Sequence, residues 1–112
     1  MTIETLDTYA GIISNLKAVR KEKESLKEFE QIQTETAVSE LIHILDGEER
    51  RLEVSLSEIE AWVTTLDSPE IQSIIRWRYV LGYSWRDTNR MIYGDPDPHR
   101  ARKKLFRFFG RE

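Results

Sequence analysis

PEIQSIIRWRYVLGYSWRDTNRMIYGDPDPHRARKKLFRFF, residues 69–109, reads as three short helices separated by two turns, and the expected fold of the whole chain is built outward from it. Ser68-Pro69-Glu70 combines three independent start signals: a hydroxyl N-cap, a proline at the first helical position and an early acid. Ile71, Ile74, Ile75 and Tyr79 follow at helical spacing and mark the buried face. Gly82 supplies a stop, and Ser84 caps a second short helix with Trp85, Thr88, Met91 and Ile92 inward. GDPDP separates this helix from a third, where Asp97-Pro98 is expected to act again as cap and first helical residue.

The third helix divides into two faces. Ala101, Leu105 and Phe108 fall at steps of four and three, the spacing of a core stripe. Arg100, Lys103, Lys104 and Arg107 lie off that stripe, with Arg102 and Arg111 flanking it. A cationic helix placed third after two short capped helices has the arrangement of a helix-turn-helix DNA reader, in which the first turn reaches base edges. That assigns Arg100 and Lys103, with His99 beside them, to bases. Arg102, Lys104 and Arg107 go to phosphates, and Arg86 and Arg90 on the second helix to the sugar-phosphate backbone. Asn89 is either a further polar contact or a local hydrogen-bonding residue. Trp77, Tyr79, Trp85, Phe106 and Phe108 are spaced as core residues rather than as a base-stacking platform. Phe106, Phe108 and Phe109 cannot all face inward on one helix.

Charge is segregated along the chain. The formal net charge is −3, yet residues 1–67 hold 7 Lys/Arg against 15 Asp/Glu, whereas residues 68–112 hold 10 against 5. An acidic half followed by a basic one is compatible with nucleic-acid binding, because affinity depends on the field at the contact face rather than on the sum. There is no cysteine, which excludes disulfides, thiolate zinc sites and cysteine nucleophiles, and fits a reducing cytoplasm. No apolar run approaches the roughly 20 residues of a membrane span, and MTIETLD lacks the basic start of a signal peptide. A soluble, cytoplasmic protein is expected.

Residues 1–67 read as an acidic helical hairpin. From Ile3 to about Gln33 apolar residues recur at Ile3, Leu6, Ala10, Ile13, Leu16 and Val19, then at Leu26, Phe29 and Ile32. The interleaved charges of KAVRKEKESLKEFE are those of a solvated helix face. Thr34-Glu35-Thr36 is the expected break. A second long helix places Val38, Leu45, Leu52, Ile59 and Leu66 at intervals of seven, with Leu41, Ile42, Leu56, Trp62 and Val63 in companion positions. DGEERR puts charge and Gly47 on the seam, where a kink is expected. The two helices are expected to pair as an antiparallel, coiled-coil-like hairpin and to pair again in a homodimer. A unit of about forty residues without cysteine or metal is near the lower limit for independent folding, so Trp62 and Leu66, with Trp77 and Phe109, are expected to complete its core.

Material for catalysis is thin. His43 and Asp46 are spaced for one-sided metal ligation but lack a third ligand, and Asp95, Asp97 and His99 are better explained by turn chemistry and capping than by a cation loop. No enzyme activity, metal or cofactor is expected.

The run from Ile74 to Phe109 resembles the fourth region of bacterial sigma factors, and more closely small phage transcription regulators of the ArpU and RinA type. Arg78-Tyr79, Gly82, Ser84-Trp85 and the 99–107 segment match that pattern. It departs at Thr88-Asn89, where a small alanine is usual, and at the stiff, acidic GDPDP turn. The resemblance implies a phage- or prophage-encoded regulator acting on double-stranded DNA in a bacterial cell, its acidic hairpin dimerising or touching RNA polymerase. Two other readings stay open: a packaging protein like a phage terminase small subunit, and an interaction protein that binds polymerase or a sigma factor.

Overall fold

A computed structural model describes residues 1–32 and 36–110. Every element is helical: α1 (Ile3–Ile32), α2 (Thr36–Thr64), α3 (Pro69–Ile75), a π-helical turn (Arg76–Val80), α4 (Trp85–Tyr93) and α5 (Arg100–Phe108). The all-α class and the order of a long hairpin followed by three short helices are those expected from the sequence. The chain divides into two compact units, Gly11–Glu58 on one side and Met1–Ala10 with Ile59–Glu112 on the other. The first turns of α1 and the last turns of α2 thus lie in the same compact unit as the short helices.

In the hairpin unit α1 and α2 pack against each other through Ile12, Leu16, Val19, Val38 and Leu45, all buried. One edge is closed by ion pairs: Arg20 reaches Glu49 at 3.5 Å and Glu53 at 3.1 Å, and Lys23 binds both Asp46 and, at 3.4 Å, Glu49. Several expectations shift here. Tyr9 and Ile12 are buried where Ala10 and Ile13 were expected, so the buried stripe on α1 runs one residue earlier there. Phe29 and Leu41 are 45% and 48% exposed rather than seam residues. α2 runs unbroken through Gly47, since a single glycine costs a helix only about 1 kcal/mol and the flanking seam is well packed. Thr34 and Glu35 of the expected break lie outside the described residues.

In the other unit the start signals at Ser68 hold. Its side chain accepts from the Ile71 amide, Pro69 is the first helical residue, and Ile71, Ile74, Ile75 and Tyr79 are buried. α3 does not simply end at Gly82. It widens into the π-helical turn, where the Leu81 amide donates to the Arg76 carbonyl at 2.9 Å, and Gly82, at φ 76°, then reverses the chain. Ser84 caps α4 by accepting from the Asp87 amide, and Gly94, at φ 73°, ends it. The core is completed from outside residues 69–109: Ile3, Leu6, Tyr9 and Ile59 are buried, and the Trp62 ring lies 5.7 Å from that of Phe109. Gln72 donates to the Leu66 carbonyl at 2.8 Å. Trp77 serves differently from the expectation, packing on Tyr83 at 5.1 Å.

Candidate nucleic-acid interface

α5 is held by its neighbours more than by its own sequence. Asp97 and Pro98 do not open it. The Asp95 side chain accepts from the Asp97 amide and the Asp97 side chain from the His99 amide, two successive turns that use up the carboxylates before helix begins. The helix starts at Arg100, and His99, at the cap position, makes no side-chain capping bond. That role falls to Asn89, ten residues before His99 and fully buried on α4. Its Oδ1 accepts from the Ala101 amide at 3.0 Å, and its Nδ2 donates to the Asp95 carbonyl at 2.6 Å. One amide side chain therefore satisfies a free amide of the first turn of α5 and fixes the acidic turn before it. Of the two roles left open for Asn89, the structure shows the local one.

The inward face of α5 is Ala101 and Leu105, both fully buried. Phe108 is 42% exposed, and the stripe ends instead through Phe109 against Trp62, while Phe106 packs edge-on to Trp85. Helical geometry places Arg100, Lys103 and Arg107, at steps of three and four, opposite Ala101 and Leu105. All three are exposed. The two remaining cations of the helix turn aside. The Arg102 guanidinium lies 4.9 Å from the Phe106 ring and lines a cleft with Glu4, Asp7 and Arg78. Lys104 pairs with Glu70 on α3 at 3.3 Å. On α4, Arg86 and Arg90 are exposed on the side away from buried Thr88 and Asn89, Arg90 lying 3.9 Å from Asp87. Met91, expected inward, is 52% exposed, because buried Asn89 turns the helix so that Thr88, Asn89 and Ile92 face the core.

Arg100 is also oriented. Its guanidinium lies 3.9 Å from the centre of the Tyr93 ring, within cation–π range. The Tyr93 hydroxyl donates to Glu70, which also holds Lys104. Burial, and then the Glu70 carboxylate, push the Tyr93 phenol up to about 12. The same hydrogen bond, with Lys104 and Arg100 nearby, draws Glu70 below its ordinary value. α3, α4 and α5 are thus tied at one point under the first turn of the basic helix.

All eight residues expected at the interface, Arg86, Arg90, His99, Arg100, Arg102, Lys103, Lys104 and Arg107, are exposed. Three of them share the outward face of α5, two the outward side of α4, His99 sits at the cap, and Arg102 and Lys104 turn aside to Phe106 and Glu70. Sequence reasoning missed Tyr93 and Glu70 as the support of Arg100. Asn89 carried a signal, since asparagine is a poor residue for a helix interior unless its side chain has a task. Elsewhere, His43 is exposed and Asp46 is engaged by Lys23. No group of three or more His, Asp or Glu suited to a metal ion occurs among the described residues, and none of their helices is long and apolar enough to cross a membrane. Comparison with family models, with curated proteins and with solved structures gives no match.

Proposed function

We propose that the chain is a sequence-reading, double-stranded DNA-binding protein that acts in transcription regulation, with α5 in the major groove. The observation that carries this is the outward row Arg100, Lys103 and Arg107 on a short helix whose opposite face is buried and whose first turn is capped from α4. An α-helix fits the major groove, and guanidinium or ammonium groups in its first turn meet guanine acceptors. Arg100 and Lys103 are the base-contacting residues, His99 flanks them, and Arg107 contacts phosphate. Arg86 and Arg90 hold the backbone from α4. Arg102 and Lys104, engaged by Phe106 and Glu70, contribute to the field more than to contacts. The resemblance to sigma region four and to phage regulators of the ArpU and RinA type supports a phage-encoded protein acting in a bacterial cytoplasm, working as a homodimer and touching RNA polymerase.

Electrophoretic mobility shift with a selected duplex, over a series of salt concentrations, tests the reading. Replacing Arg107 by alanine is expected to weaken binding to all sequences alike and to lower the slope of log affinity against log salt by roughly one. Arg100→Ala is expected to cost about 1 to 3 kcal/mol and to relax preference at one base pair. Lys104→Ala should leave the slope nearly unchanged. Absence of a shift with any duplex at low salt overturns the proposal.

A further inference from the structure

The hairpin unit has two unlike sides. Its ion-paired side is closed by Arg20, Lys23, Asp46, Glu49 and Glu53. The other is an open groove of about 470 Å³ lined by Asn15, Ala18, Val19, Leu52 and Ser55, with Glu22, Glu48 and Arg51 along it. Helical spacing continues this second side toward the hairpin tip through Phe29 on α1 and Leu41 and Ile44 on α2. These are 45%, 48% and 58% exposed, three large apolar side chains on two facing helices at one end of one side. Two helices cannot enclose a core alone, and a bundle of four can.

We infer that this side is the interface with a second copy of the same chain, packed antiparallel about a two-fold axis that passes between Glu48 and Arg51 of α2. The two ends of this side are complementary to each other, as an interface between identical surfaces requires. Apolar knobs stand at one end of the side and a groove floored by small residues at the other, so an antiparallel copy presents its groove to the knobs, and the contact is made twice. With the axis between residues 48 and 51, Glu48 faces Arg51 of the partner subunit, and Ile44 comes opposite the groove residue Ser55. The charges agree with this placement, since neither Glu48 nor Arg51 makes an ion pair within the described residues. The four helices then form a bundle with the existing ion pairs outside, where water screens them. This extends the homodimer of the proposed function but rests on the hairpin alone, and it stands whether or not α5 reads DNA.

Sedimentation equilibrium of the full chain gives the test. The wild type is expected to be a dimer, and Ile44→Glu a monomer with unchanged helical circular dichroism. Glu48→Arg and Arg51→Glu each set like charges across the axis, and each alone is expected to dissociate. Mixed in equal amounts, the two restore opposite charges at both positions and are expected to recover the dimer. A monomeric wild type, a dimer indifferent to Ile44→Glu, or a mixture no more associated than its components overturns the inference. A monomeric wild type that captures RNA polymerase through Ile44 also overturns it, and assigns this side to a different partner. Duplex binding by the Ile44→Glu monomer, measured in parallel, reports on α5 separately.

Discussion

Asn89 does at the scale of one residue what a capping sequence ordinarily does. α5 opens on His99, which makes no capping bond, and on a run of arginine and lysine that sits badly at the positive end of a helix dipole. Without help its first turn frays, and the first turn holds Arg100 and Lys103. The fully buried amide of Asn89 accepts from Ala101 and donates to the Asp95 carbonyl, so the start of the helix is fixed from the helix before it. Asn89→Ala leaves the buried Ala101 amide without its partner and releases the part-buried Asp95 carbonyl. It is expected to lower stability by about 1 to 3 kcal/mol in urea unfolding. It should also weaken duplex binding by more than the folded fraction accounts for. Beside it, the Thr88 hydroxyl is buried with no hydrogen-bond partner among the described residues. An Asn89→Ala replacement that changes neither quantity contradicts this role.

At the scale of elements, what was legible in the sequence and what was not divides by the range of the interaction. Ser68 and Ser84 cap their helices as read, because a hydroxyl and an amide three residues on are a local matter. The buried face of α3, and Ala101 and Leu105 of α5, followed from spacing for the same reason, whereas Phe108 is exposed and Phe109 takes its place against Trp62. The start of α5 was read two residues early, since Asp97 has two local uses and a tertiary cap decided between them. The π-helical turn also escaped; within it the Arg78 guanidinium lies 5.3 Å from the Trp85 ring, a contact across elements that spacing does not show. Long-range ties are equally silent in one dimension, and the Glu70, Tyr93 and Lys104 cluster is one of them. Its pH dependence can be worked out by sign. Tyr93 has a raised folded value, about 12, against roughly 10 in an unfolded chain, so its contribution is complete below the unfolded value and is lost as pH rises toward 12. Glu70 has a lowered value, so its share is present above the ordinary carboxylate range and is lost on acidification. Thermal melts across pH are expected to show a plateau between these limits with a fall on each side. Tyr93→Phe should flatten the alkaline fall while keeping the ring under Arg100; an unchanged alkaline limb excludes the tie.

For the whole molecule, the division into compact units does not follow the division of charge along the sequence. The unit that contains α5 takes in Met1–Ala10 and Ile59–Asp67 as well, and with them Glu4, Asp7, Glu60 and Asp67. By sequence this unit holds ten Lys/Arg against nine Asp/Glu, so the proposed DNA contact rests on where the cations stand and not on their excess. The acids that offset them are placed away from the outward face of α5: Glu4 and Asp7 line the cleft beside Arg102 and Arg78, and Glu60 lies near enough to Tyr9 to help raise its phenol. The same membership determines which pieces of the chain can fold. Residues 69–110 alone lack Ile3, Leu6, Tyr9, Ile59 and the Trp62 ring on Phe109, all parts of the core around α3 and α5. That fragment is expected to show no cooperative melting transition. Replacing residues 11–58 by a short Gly/Ser turn instead retains every one of those contacts, because the start of α1 and the end of α2 remain. This shortened chain is expected to melt cooperatively and to retain the base preference set by Arg100 and Lys103. With the hairpin side that joins two copies gone, it should be a monomer that binds one half-site with reduced affinity. Calorimetry of the two pieces, followed by mobility shift with single and paired half-sites, makes the comparison. A fragment 69–110 that melts cooperatively, or a shortened chain that does not, contradicts the assignment of the two helix ends to the unit that carries α5.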